Sequence, residues 1–358
     1  MKKDATKSPN ETGSKKKTKT DYKKRVIEKC TKLIEDNPND YQAYFKRASA
    51  KKNRGNKKGA IEDYDKGLEI KPDHSFAYNE RGIIKAQLLN YRDAIADYDK
   101  AILYYSHYTD AYFNRGNANR KIGEIQEAIA DYSKAIENCP HCYEEAYFYR
   151  GEAKTVLGNW LGAIEDYNKV IESEPSNAWA HYYKGLAKSS LKQYQEAIPD
   201  YDFALALNPT LTGIYYNRGV AKLFSKDLLG SIADNTKAIE IDPLFKEAYY
   251  NRGIAKSELG DYQGEIVDNL KVIEICPDYV DAYINNGITK YELGDYEAAM
   301  NYFDQAIAVD PTFATAYCVR GEFKLELGLV KSARLDFKKA GDLGMRDGYD
   351  ILRELGEE

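Results

Sequence analysis

The sequence predicts an all-α fold, a right-handed α-α superhelix of stacked helix pairs closed by a helix at each end. Three observations carry this. The stretch AYFNRGNANRKIGEIQEAIADYSKAIENCP (111–140) returns as AYYNRGIAKSELGDYQGEIVDNLKVIEICP (248–277). Pro38, Pro72, Pro140, Pro175, Pro209, Pro243, Pro277 and Pro311 fall 34 or 35 residues apart, with Ser106 filling the one gap. Within each period, apolar residues recur at helical spacing over two segments. Such a unit cannot bury its own apolar face, so neighbours stack. A length of 358 residues would ordinarily suggest two or three domains, but stacking predicts one elongated domain.

The elements follow in order. Residues 1–20 carry seven lysines against Asp4 and Glu11, and are expected to form a disordered basic tail. No apolar stretch follows the lysines, so the start does not read as a secretory signal. Residues 21–40, ending at Asn37-Pro38, read as a lone second helix that covers the first repeat. Nine units then fill 41–341, starting at residues 41, 75, 109, 144, 178, 212, 246, 280 and 314, with Tyr143 as a single insertion. Numbering each unit from 1, helix A covers positions 2–14 and helix B about 18–31. Glycine at position 15 (Gly123, Gly260, Gly294) suits the turn between them, and proline at 32 stops helix B. Pro199 falls early in a helix B and is expected to bend it. Residues 342–358 read as a capping helix, which repeat arrays need for solubility.

The positions identify the chain as resembling the tetratricopeptide repeats. The match lies in tyrosine at position 4 (Tyr44, Tyr78, Tyr112 and their successors), Gly at 8, Ala at 20, Tyr or Phe at 24, Ala at 27 and Pro at 32. It spans roughly residues 39–345. Position 7 departs from the pattern with Arg in place of Leu, position 11 with Lys, and the seventh repeat with Glu265 at the tight position 20. The resemblance implies a non-catalytic scaffold or adaptor that binds a protein or peptide partner in a concave groove.

Composition fits a soluble, folded chain: 43% hydrophobic, 30% charged, net charge −5. No apolar run is long enough to span a membrane, which predicts a cytoplasmic protein with reduced thiols. The tyrosines at repeat positions 17 and 24 explain much of the count of 32 and read as core with a polar handle.

Arg81, Arg115, Arg150, Arg218 and Arg252 recur at position 7, and Asp97, Asp131, Asp166, Asp234 and Asp268 at position 23. In repeat eight both charges vanish together, as Asn286 and Tyr302. We read this as a structural ion-pair ladder between helices A and B, because an arginine fork can grip a carboxylate bidentately. At about 100° per residue the ladder stripe faces helix B. A nucleic-acid solenoid using the ladder and the lysine tail is the alternative that this geometry disfavours.

The opposite stripe, positions 2, 5, 9, 12 and 13, lines the groove in the family the chain resembles. It carries Phe113, Phe148, Tyr182, Tyr216 and Tyr250 at position 5, with Trp179 and Ile254 beside them. Acidic residues gather toward the C-terminal repeats, including Glu258, Asp281 and Glu292. We expect these residues to hold a partner segment with apolar anchors and a basic part. Repeats that capture an acidic chain terminus use Lys at position 5, which never occurs here, so that subtype is disfavoured. A homo-oligomer is compatible with the sequence.

Cys139-Pro140-His141-Cys142 is the remaining motif with chemical character. It fits a redox dithiol or part of a zinc site. Within the repeat frame, Pro140 is the helix stop and Cys139 sits at a helix C-terminus, where the dipole opposes a thiolate. A zinc site would also need ligands that the local sequence does not supply. No cofactor and no metal are expected.

Overall fold

A computed structural model describes residues 10–140 and 144–356. Among the described residues the chain forms twenty α-helices and no strand. It divides into two compact units, Met1–Pro175 and Ser176–Glu358.

The first unit holds α1 (Asn10–Asp36), then the pairs α2 (Tyr41–Lys52) with α3 (Lys57–Ile70), and α4 (Ser75–Ala86) with α5 (Tyr91–Tyr104). It continues with α6 (Thr109–Ile122), α7 (Ile125–Asn138), α8 (Glu144–Val156) and α9 (Trp160–Ser173). Helix α1 packs on α2. It begins at Asn10, inside the stretch that composition marked as an unfolded tail. No proline interrupts residues 10–36, so the turns nucleated over the apolar part propagate backward through Lys, Thr and Ser. The first nine residues lie outside the described residues.

The second unit holds α10 (Ala178–Ser190), α11 (Tyr194–Leu207), α12 (Thr212–Phe224), α13 (Leu228–Ile241), α14 (Lys246–Glu258) and α15 (Tyr262–Ile275). It closes with α16 (Val280–Glu292), α17 (Tyr296–Val309), α18 (Ala314–Glu326), α19 (Val330–Asp342) and α20 (Arg346–Glu354), which packs on α19. Helix α11 continues through Pro199.

Each repeat is built the same way. Helix A ends in a left-handed residue, as at Gly123 with φ 87°, and helix B begins two residues later. Leu89, Lys192 and Lys226 hold the same position with φ of 66°, 60° and 66°, against the preference of a side chain with a Cβ. Between the helices, the ring at position 24 lies flat on the glycine at position 8. A Cβ on Gly82 would stand 2.7 Å from Tyr98, and one on Gly151 2.8 Å from Tyr167. Glycine is thus required there by close approach, and Tyr64, Tyr98, Tyr132, Tyr167 and Tyr201 form the buried spine of repeats one to five.

Repeats six and seven break that spine. Position 24 is Asn235 and Asn269, both fully buried, where the pattern predicted Tyr or Phe. Position 20 is Ser231 and Glu265 in place of Ala. At Gly253 the nearest atom to an added Cβ is Asn269 Oδ1 at 3.5 Å, so the ring's space is not refilled.

Candidate functional site

Helix geometry places positions 4, 7, 8 and 11 of helix A against helix B. Arg81 donates from Nε to Asp97 Oδ2 at 2.9 Å and from Nη2 to Oδ1 at 2.6 Å. Arg150 repeats this on Asp166, Arg218 on Asp234 and Arg252 on Asp268. Arg115 grips Asp131 through the same two nitrogens. Lys85, Lys154, Lys222 and Lys256 each add a second cation to the same aspartates at 2.8–2.9 Å. In repeat three Asn119 replaces that lysine and donates to Asp131 at 3.0 Å. There burial pushes the Asp131 carboxyl up, against the pull of Arg115 and Asn119.

Sequence reasoning missed the other half of each rung. The remaining guanidinium nitrogen, Nη1, reaches position 25 of the preceding repeat: Arg81 to Asp65, Arg115 to Asp99 and Arg218 to Asp202, all at 2.6 Å. Where that residue is Ser133 or Thr236, its hydroxyl accepts instead. The position-4 tyrosine lies under the guanidinium, 5.3 Å away for Tyr78 and Arg81. Each of these arginines therefore ties three helices and is engaged by carboxylates or hydroxyls. That leaves it poorly placed to neutralise a phosphate.

On the other stripe the position-5 aromatics are half-buried wedges. Phe113 and Phe148 lean on Tyr132 and Tyr167 of their own helix B, each at 5.9 Å. Tyr216 packs on Phe245 at 5.0 Å and Tyr250 on Tyr279 at 5.2 Å, the residues just before the next helix A. The Tyr182 hydroxyl accepts at 3.0 Å from Nδ2 of Asn217, a residue of the next helix A. A single-helix wheel shows a ring at position 5 as free; the neighbouring repeat covers it. Burial pushes the Tyr250 phenol up to about 12. Trp179 is different. It is 47% exposed and sits edge-on to Tyr182 at 5.9 Å. Glu258, Asp281 and Glu292 are exposed, and Glu258 pairs with Lys226 at 2.8 Å.

Two cavities open along this stripe. One, about 410 Å³, lies in the first unit beside Asn117, Arg120, Lys121 and Tyr149, where the Arg120 guanidinium stacks on Tyr149 at 4.7 Å. The other, about 330 Å³, lies between α14 and α16 and is lined by Tyr250, Ile254, Ile288, Glu258, Glu292 and the buried Glu265.

Cys139 is disulfide-bonded, contrary to the expectation of reduced thiols. It is the C-cap of α7, its backbone N–H donating to the Ala135 carbonyl at 3.1 Å. A sulfur in that state has no thiolate to offer a metal. His141 and Cys142 lie outside the described residues. Cys30, Cys276 and Cys318 are free. Among the described residues no group of three or more His, Cys, Asp or Glu is placed to hold a metal ion, and no helix is long and apolar enough to cross a membrane.

Tetratricopeptide repeat profiles match residues 41–74, 109–142, 178–211 and 235–266, and a TPR repeat profile matches 287–328. No curated protein sequence matches the chain. Among solved structures, the C-terminal part of a TPR repeat-containing protein from Cytophaga hutchinsonii is 18% identical. That likeness covers 66% of this chain and 97% of that one, with TM-score 0.57, and shows a shared fold. A MamA protein is 25% identical over 48% of this chain and 94% of its own, with TM-score 0.46. YrrB, described as a TPR protein with an unusual peptide-binding site, is 23% identical over 52% and 95%, also with TM-score 0.46.

Proposed function

The chain belongs to the tetratricopeptide repeat family, and from that premise we propose that it is a non-catalytic scaffold holding a partner segment along the helix-A stripe. The observation that carries this reading is Trp179. It is a large aromatic side chain left 47% exposed on the stripe and braced by the half-buried Tyr182. Exposed aromatic anchors beside buried, hydrogen-bonded neighbours are the usual centre of a protein-binding surface. In the second unit the half-buried rings of Tyr182, Tyr216 and Tyr250 form its floor, and Ile254, Glu258, Asp281 and Glu292 extend it toward the acidic repeats; in the first unit Phe113 and Phe148 hold the same repeat position. The segment it takes has apolar anchors and a basic part that lies over repeats seven and eight.

Affinity capture with cross-linking, mapped on the nine repeats, tests this. Cross-links should fall on helix-A positions 2, 5 and 9, and Trp179→Ala should weaken capture without unfolding the chain. Cross-links confined to helix-B faces would overturn the reading.

A further inference from the structure

Nine carboxylates are buried in the described structure: Asp63, Asp97, Asp131, Asp166, Asp200, Asp234, Asp268, Asp336 and Glu265. The first eight are paired with an arginine, a lysine or both. Glu265 is 4% exposed and, among the described residues, has no cation within ion-pair distance. Its one recorded donor is the Thr289 hydroxyl, at 2.7 Å from Oε2. One turn along α15 lies Asn269, fully buried, with neither Nδ2 nor Oδ1 bonded among the described residues. A buried carboxylate without a counter-charge is costly, far more so than a buried hydroxyl or amide. The repeat pattern asks for alanine here, so the carboxylate is an addition to the fold rather than a part of it.

The carboxylate lines the cavity of about 330 Å³ that opens on the stripe between α14 and α16. Its walls are the Tyr250 ring, Ile254 and Ile288, and its rim carries Glu258 and Glu292. We propose that this cavity is a socket for the side chain of an arginine borne by the partner segment, with Glu265 as the missing half of an ion pair. The apolar walls suit the aliphatic stem. The Tyr250 ring offers a face to a cation. The planar guanidinium is weakly hydrated and can bind the carboxylate edge bidentately, which a hydrated ammonium cannot do. A metal ion would need ligands that this pocket does not assemble. The socket rests on the groove reading above, and adds to it the chemistry of one anchor and its address.

The full chain is titrated with N-acetyl-arginine-amide, N-acetyl-lysine-amide and N-acetyl-citrulline-amide, following the methyl resonances of Ile254 and Ile288. The arginine probe should saturate those shifts, with the uncharged citrulline probe at least about tenfold weaker. Glu265→Gln should abolish the difference between the two, and the control Glu297→Gln, at an exposed residue in the first turn of α17, should not. Equal binding of citrulline to the wild-type chain overturns the socket whether or not any variant folds. Binding of lysine as tight as arginine overturns the guanidinium assignment. The two readings separate cleanly. Capture of a partner that needs Trp179 but not Glu265 leaves the groove standing without the socket; arginine-probe binding without any captured partner does the reverse.

Discussion

Arg115 holds Asp131 through Nε and Nη2 while its Nη1 reaches Asp99 on the helix B before, so one side chain joins two repeats. In repeat seven Lys256 shares the load on Asp268, but in repeat three only Asn119 stands beside Asp131.

Arg115→Ala should therefore cost about 3–5 kcal/mol, since it strands a buried carboxylate with no second cation. Arg252→Ala, with Lys256 still 2.8 Å from Asp268, should cost clearly less. Denaturant midpoints of the two variants check the order; equal losses would mean the lysine carries no charge compensation.

The glycines of helix A should divide by what lies opposite. Gly82→Ala forces a Cβ to within 2.7 Å of the Tyr98 ring and should destabilise by about 2 kcal/mol. Gly253→Ala meets nothing nearer than 3.5 Å and should stabilise α14 by about 0.5–1 kcal/mol through helix propensity. Thermal melts of the pair should move in opposite directions.

Alkaline pH should unfold the chain. A free phenol titrates near 10, whereas burial pushes Tyr132, Tyr108 and Tyr250 up to about 12, and Tyr64, Tyr98 and Tyr201 beyond that. The unfolded chain thus loses phenol protons first. The stability they confer is complete below about pH 10 and falls as pH rises through 12. Phenolate absorbance should keep a step that coincides with the loss of helical ellipticity; ionisation of every tyrosine while the helices persist would contradict the buried spine.

Thiol reactivity should rank the free cysteines. Cys276 is half-buried beside Lys246 Nζ at 3.2 Å, whereas Cys30 is buried and burial lifts the Cys318 thiol to about 11. Alkylation at about pH 8, read by peptide mass, should label Cys276 first, and Cys30 and Cys318 only on unfolding. Cys139 should label only after reduction.

Glu265→Gln should raise the melting temperature, by about 1 kcal/mol in stability, because the amide keeps the shape and removes an uncompensated charge. A drop would assign Glu265 a structural role in place of the one proposed.

The fold was legible because a 34-residue period repeats its helix spacing nine times, with a turn glycine or a stop proline marking nearly every unit. The Arg–Asp pairing was legible through a coincidence of losses, Asn286 opposite Tyr302. Its inter-repeat arm was not, because Asp65, Ser133 and Thr236 share a position without sharing a residue type. The covering of Tyr182 and Tyr216 was hidden for another reason: a helix wheel describes one helix, and both rings are covered by the next. Asn235 and Asn269 were visible as exceptions to the position-24 pattern, and Glu265 as an exception at position 20. Their consequence, an unfilled space beside an unpaired carboxylate, depends on packing.

The ladder also bears on how such a chain can be lengthened or cut. Each arginine finds one acceptor sixteen residues ahead and another sixteen behind, or seventeen behind for Arg150, across the extra residue at Tyr143. A block of one period duplicated or deleted so that its seam joins two repeats carrying both the arginine and the aspartate brings a donor back to an acceptor; repeat five, with Lys184, and repeat eight, with Asn286 and Tyr302, are the exceptions. Away from those two the joint works like a bricklayer's bond, indifferent to where the course is broken, so copy number can drift while the junctions keep their grip.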